Sequence, residues 1–152
     1  MGIITSLEAF KALMVNIPKE KTIMMPIMED AQLGICTGLS LTGKIPLCLY
    51  TRMDFMLLAL NQLINHLDKL EELSHGEFKA KVIIRTVVGE TKPMYPGPQH
   101  TQDFSDMLKL QLKTIDLYQL EKSSDILPIY KKALNSNRSS IIVEYRNLYN
   151  KE

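Results

Sequence analysis

The sequence predicts an α/β domain spanning residues 1–152, a three-layer parallel sheet with helices on both faces. Three observations lead there. Short apolar runs such as PLCLY (46–50) and KVIIRTVV (81–88) do not alternate with polar residues, as expected of strands covered on both sides. Segments with helical spacing lie between these runs, so strand and helix alternate along the chain. A length of 152 residues, 45% of them hydrophobic and 23% charged, fits one ordinary globular domain that can bury a core.

Taken in order, residues 5–16 carry Leu7, Phe10, Leu13 and Met14 at helical spacing with Pro18 beyond, which predicts a first helix. Residues 22–28 read as a buried strand, and 31–41 as a helix whose Gly34 and Gly38 let it lie close against a neighbour. The run 46–50 reads as a central strand. The longest helix is expected over 54–73; its first half is apolar nearly all the way round, which suggests burial against a second subunit. Residues 80–88 form another strand, followed by GETKPMYPGPQHTQDF, a Gly- and Pro-rich loop of a length that usually serves function or motion. A helix over 103–110, a strand over 114–118, a helix from Ser123 or Ser124 to Asn135 and a last strand over 140–145 complete the chain.

Composition narrows the function classes. Lysine and arginine number 18 against 17 acidic residues, so the basic footprint of a nucleic-acid or anionic-membrane binder is missing. The start of the chain does not read as a signal peptide and no apolar window reaches membrane-spanning length, so a cytoplasmic protein is expected. Cys36 and Cys48 sit in apolar segments without metal-ligand spacing and are expected to be buried, reduced thiols. The phosphate-binding loop GxxxxGK, the GxGxxG turn and the serine nucleophile elbow do not occur.

In parallel sheets ligands bind beyond the carboxyl ends of the strands. Three such ends carry chemistry-capable residues: Glu29 after the first strand, Arg52 to Phe55 after the second, and Gln99-His100 in the long loop. Each has a plainer role to set against a functional one. Glu29 can cap its helix or complement the helix dipole, and Asp54 can do the same. Phe55 can fill core, Arg85 can pair internally, and His100 can be a loop histidine without consequence.

Order and spacing across several motifs resemble the pyrimidine-binding, transketolase-like domain of thiamine-diphosphate enzymes, most closely the beta subunits of 2-oxoacid dehydrogenases. The similarity runs from about Phe10 to about Tyr145. It comprises Pro26-Ile27 with Glu29, the glycines Gly34 and Gly38, Gly43 with Pro46, Asp54-Phe55, and Gln62 with Asn65. It continues in Ile83-Ile84-Arg85 and in Gly97-Pro98-Gln99-His100-Thr101-Gln102.

The resemblance implies thiamine diphosphate as cofactor, with Glu29 hydrogen-bonding a ring nitrogen of its aminopyrimidine and Phe55 forming part of the ring's pocket. His100 would act near substrate or diphosphate as a proton donor or orienting group, with Gln99 and Arg52 contacting substrate. Arg52 stands where the family has a second aromatic; a guanidinium there can stack on the ring or grip an acidic or phosphorylated substrate. The family's opening strand and helix before Phe10 are expected to be missing, and the chain ends where a carboxyl-terminal docking domain would begin. The diphosphate and magnesium signature GDG-x-N is not in the sequence, so a diphosphate-binding alpha-type partner is implied, in an α2β2 heterotetramer. The implied reaction is decarboxylation or acyl or ketol transfer on a 2-oxoacid or sugar, tilted toward carboligation or non-oxidative decarboxylation. The alternatives are a fragment of a dehydrogenase beta subunit and a non-catalytic scaffold of the same fold.

Overall fold

A computed structural model describes residues 2–5 and 17–149. Among them a sheet runs in the order β2-β1-β3-β4-β6-β5, built from β1 (Gly2–Thr5), β2 (Thr22–Met24), β3 (Pro46–Leu49), β4 (Ile83–Val88), β5 (Asp116–Gln119) and β6 (Ser140–Tyr145). Every pairing in it is parallel, so all the carboxyl ends open on one side. β-Branched residues dominate β4, where Ile83, Ile84, Thr86, Val87 and Val88 suit a pleated, doubly covered strand.

Side chains alternate between two cores. Cys48, Ile84, Val88, Ile141 and Val143 face Leu33 and Cys36 of α1 (Glu29–Leu41), Met53 and Met56 of α2 (Met53–Met56), and Leu108. Leu47, Leu49, Ile83 and Ile142 face the other way, onto Ala133 and its neighbours Ile129 and Leu134. Leu108 belongs to α4 (Ser105–Gln111) and Ala133 to α5 (Ile126–Asn135), so helices cover both faces as expected. Each fully buried Leu or Ile contributes about 1.5–3 kcal/mol. Cys36 and Cys48 are free and buried, and no helix among the described residues is long and apolar enough to cross a membrane.

Three expectations need correction, and a fourth falls almost wholly on residues that are not described. The helix over 5–16 lies almost wholly outside the described residues, and Thr5 itself belongs to a strand. That strand, β1, is the opening strand expected to be missing; it pairs with β2 on one side and β3 on the other. The strand over 22–28 shrinks to Thr22–Met24 and lies at the sheet edge, with Ile23 and Met24 about half exposed, because Pro26 lacks the N–H a longer ladder needs. The helix over 54–73 is broken into α2, a 3-10 turn at Leu57–Ala59, a π-helical stretch at Asn61–Leu67 and α3 (Leu70–Leu73). Its buried stripe is Met53, Met56, Ala59, Leu63 and Leu67, while Leu58 and Leu73 are each 65% exposed.

The π stretch ends at Asp68, whose N–H reaches back to the Leu63 carbonyl at 2.9 Å. Asp68 is buried because its carboxylate accepts from the backbone N–H groups of Lys113 and Thr114, at 3.1 and 2.8 Å. Gly34 matches its expected close packing only loosely. A Cβ there would touch the Gln62 amide at 3.5 Å, and one on Gly38 would meet nothing within 4 Å among the described residues.

Candidate active site

Glu29 is the first residue of α1 and is 8% exposed. Its side chain accepts no hydrogen bond from a helix N–H among the described residues, so of the plain readings only its place in the first turn, complementing the helix dipole, remains. Among the described residues its carboxylate has neither a hydrogen-bond nor an ion-pair partner, although the residue as a whole is buried. The Glu29 backbone is fixed instead: its carbonyl accepts from the Tyr50 hydroxyl at 2.9 Å. Tyr50 directly follows β3, is 2% exposed, and donates its own N–H to the Arg85 carbonyl at 2.9 Å. Burial above all, then the neighbouring Cys48, pushes the Tyr50 hydroxyl well above its ordinary value, so it stays a proton-bearing donor. A second bolt between α1 and β3 is the buried Gln32 amide, which donates to the Leu49 carbonyl at 3.0 Å.

Arg52 sits at the start of α2, half-buried, with Nη1 donating to the Thr51 carbonyl at 2.9 Å. Its Nε is buried without a hydrogen-bond partner among the described residues. Asp54 does not cap α2. Its Oδ1 accepts from the Gln102 side-chain amide at 3.0 Å, because the long loop folds back over the helix start. Phe104 N–H adds a contact to the Met53 sulfur at 3.0 Å, so the far end of the loop is also tied to α2.

The same loop carries Gln99 and His100. Gly97, at φ 101°, makes the left-handed turn that starts a 3-10 turn over Pro98–His100. The His100 backbone then lies against Gly89, the first residue after β4. A Cβ on Gly89 would stand 1.9 Å from the His100 carbonyl oxygen and 3.5 Å from Arg52 Nε, so only glycine fits. The His100 ring meets Phe55 edge-on, with centroids 5.4 Å apart and planes at 85°, a favourable aromatic geometry. His100 Nδ1 is buried with no hydrogen-bond partner among the described residues.

The fold therefore gathers Arg52, Phe55 and His100 at the carboxyl ends of β3 and β4, and ties Glu29 to the same end of β3 through Tyr50. Gln99 is exposed and makes no hydrogen bond to the rest of this group. Sequence reasoning missed Tyr50, Gly89 and the Asp54–Gln102 tie. Tyr50 had a signal, an aromatic hydroxyl at the end of a buried strand. Gly89 read as ordinary loop punctuation.

Burial and charge also organise the neighbouring edge. Arg85 of β4 donates from Nε to Glu144 Oε1 of β6 at 2.9 Å and from Nη2 to the Tyr149 hydroxyl at 2.8 Å. This pair is internal, as expected for an arginine within a strand.

No family model matches the chain. A pyruvate dehydrogenase E1 component subunit beta from Cyanidium caldarium is 28% identical over 125 residues, which is 82% of this chain and 37% of that protein. The chloroplastic subunit beta-3 from Arabidopsis thaliana is 30% identical over the same length, 82% of this chain and 30% of its own. Both of these relatives are pyruvate dehydrogenase E1 beta subunits. The chain spans about a third of the length of these relatives. Among solved structures, a split gene transketolase, described as an inactive beta4 tetramer, superposes with a TM-score of 0.75 at 20% identity, covering 95% of this chain and 45% of that one. A structure from Mycobacterium smegmatis, described as that of a thiamin diphosphate-dependent enzyme, gives 0.64 at 10% identity over 95% of this chain and 27% of its own. The fold is thus a parallel α/β sheet like that of the split gene transketolase, as the sequence motifs imply.

Proposed function

We propose that the chain is the pyrimidine-binding, beta-type part of a thiamine-diphosphate enzyme that decarboxylates a 2-oxoacid or transfers an acyl or ketol unit. The observation that carries this reading is Glu29, a residue only 8% exposed whose carboxylate has no hydrogen-bond or ion-pair partner among the described residues, beside the carboxyl ends of a parallel sheet. Such a group calls for a ligand donor, and an aminopyrimidine ring nitrogen is one. The likeness to E1 beta subunits supports the same choice.

The residues present fit this cofactor. Glu29 would hold a proton between its carboxylate oxygen and the pyrimidine ring, and Phe55 would wall that ring. His100, braced edge-on by Phe55, would orient substrate or supply a proton. Bound thiamine diphosphate would supply the electron sink for breaking a bond next to a carbonyl. The two unpaired buried thiols, Cys36 and Cys48, support a reducing compartment such as the cytoplasm.

A diphosphate-binding alpha-type chain completes the site in this reading and holds Mg2+, in an α2β2 assembly. Among the described residues no cluster of three His, Cys, Asp or Glu side chains could hold a metal ion. The half-exposed Ile23 and Met24 and the exposed Leu58 give apolar area for a subunit contact. Calorimetric titration of the co-purified complex with thiamine diphosphate and magnesium tests the proposal. Saturable binding is expected; no heat of binding at millimolar cofactor would sink it and leave a scaffold of the same fold.

A further inference from the structure

We propose that Arg52 forms an anion subsite for an acidic group of the substrate remote from the carbonyl where bonds change. The location of this subsite within an active site rests on the thiamine-enzyme reading; the anion site itself does not. The chain has four arginines, and the fold treats one of them differently. Arg85 is paired with Glu144, Arg138 with Asp116 at 3.0 Å, and Arg146 with Glu90 at 3.5 Å. Arg52 has no carboxylate partner among the described residues, although it is half-buried and its Nε is wholly shielded from solvent.

The nearest acidic side chain in sequence, Asp54, turns to the Gln102 amide instead. Among the described residues only the Thr51 carbonyl accepts from the guanidinium, through Nη1, which leaves Nη2 for an external acceptor. A solvated surface arginine would not bury Nε beside Gly89, where a Cβ would approach it to 3.5 Å. The guanidinium fork matches carboxylate or phosphate oxygens in pairs, which an ammonium cannot do. Across Gly89 lies the His100 backbone, and the His100 ring Nδ1 is likewise buried without a hydrogen-bond partner among the described residues. The ligand class is therefore a substrate bearing a second carboxylate or a phosphate, held from the Nη side of the guanidinium.

Phenylglyoxal modification of the purified protein, mapped arginine by arginine by mass spectrometry, tests this with inorganic phosphate and with glutarate as probes. At ten times its half-effect concentration, the fitting probe should slow modification of Arg52 about tenfold, the share of sites left free, and leave Arg138 and Arg146 unchanged. The stronger arm tells phosphate from carboxylate. Arg52→Met should abolish the probe-dependent rise in Tm, and Arg52→Lys should retain part of it. Equal modification of Arg52 with and without both probes, or the same Tm rise in Arg52→Met, overturns the subsite. The readout needs no cofactor. Protection of Arg52 without thiamine diphosphate binding would therefore sink the enzyme reading alone, and cofactor binding without protection would sink the subsite alone.

Discussion

A methyl group on residue 89 would stand 1.9 Å from the backbone carbonyl of His100, a contact that neither partner can relieve by rotating a side chain. Gly89→Ala should therefore push the Gly97–Gln102 loop off β4. The expected cost is about 1–3 kcal/mol in urea unfolding, as for other overpacked sites. Faster amide exchange across that loop, with the sheet unaffected, is the local signature; unchanged exchange would contradict the clamp. Tyr50→Phe is the companion case. It removes the one hydroxyl that bonds the Glu29 carbonyl, and about 1–2 kcal/mol of stability should go with it, since a buried acceptor is left without its donor. A value within error of zero would mean that water replaces the hydroxyl. At this scale the sequence pointed to Glu29, Arg52, Phe55 and His100 as candidates. It did not reveal Gly89, because a glycine's value here lies in what packs against it from eleven positions away, and spacing carries no such information.

Between elements, β4 and β6 are joined by a charge pair as well as by their ladder. Arg85 and Glu144 have side chains 10% and 16% exposed, and the carboxylate also accepts from Tyr149. Burial alone would push the Glu144 carboxyl up. The Arg85 hydrogen bonds and charge, with Tyr149 and Tyr130, outweigh burial and hold it below its ordinary 4.5. The sign follows. A depressed folded pKa contributes stability above the unfolded value, and that stability is lost as pH falls below about 4.5 through the folded value. Glu144→Gln should flatten this acid limb and destabilise the protein by about 3–5 kcal/mol at neutral pH, because Arg85 is left buried without its carboxylate. Urea midpoints against pH would check it; parallel curves for both proteins would refute the assignment. Strands β3, β4 and β6 were legible because doubly covered strands write continuous apolar runs. Strand β1 was not, since its four residues run straight into a segment with helical spacing. The break in the 54–73 helix was hidden as well, because a π stretch shifts the buried stripe by one residue without changing composition.

Across the whole molecule, the parallel sheet puts Glu29, the Arg52–Phe55 turn and the His100 loop on one side. Apolar side chains remain exposed on β2 and in the segment after α2. The fold class was legible because strand and helix alternate throughout. The assembly was not, because an apolar residue facing a partner and one facing its own core look alike in sequence. The central claim is that the Glu29 carboxylate, without a partner among the described residues, handles a proton at the cofactor. Turnover of a 2-oxoacid panel by the partner-completed complex, wild type against Glu29→Gln at saturating thiamine diphosphate, tests that claim most directly. A loss of at least about two orders of magnitude is expected, the scale of an acid/base role, with the cofactor still bound. Near-normal turnover by Glu29→Gln would contradict it.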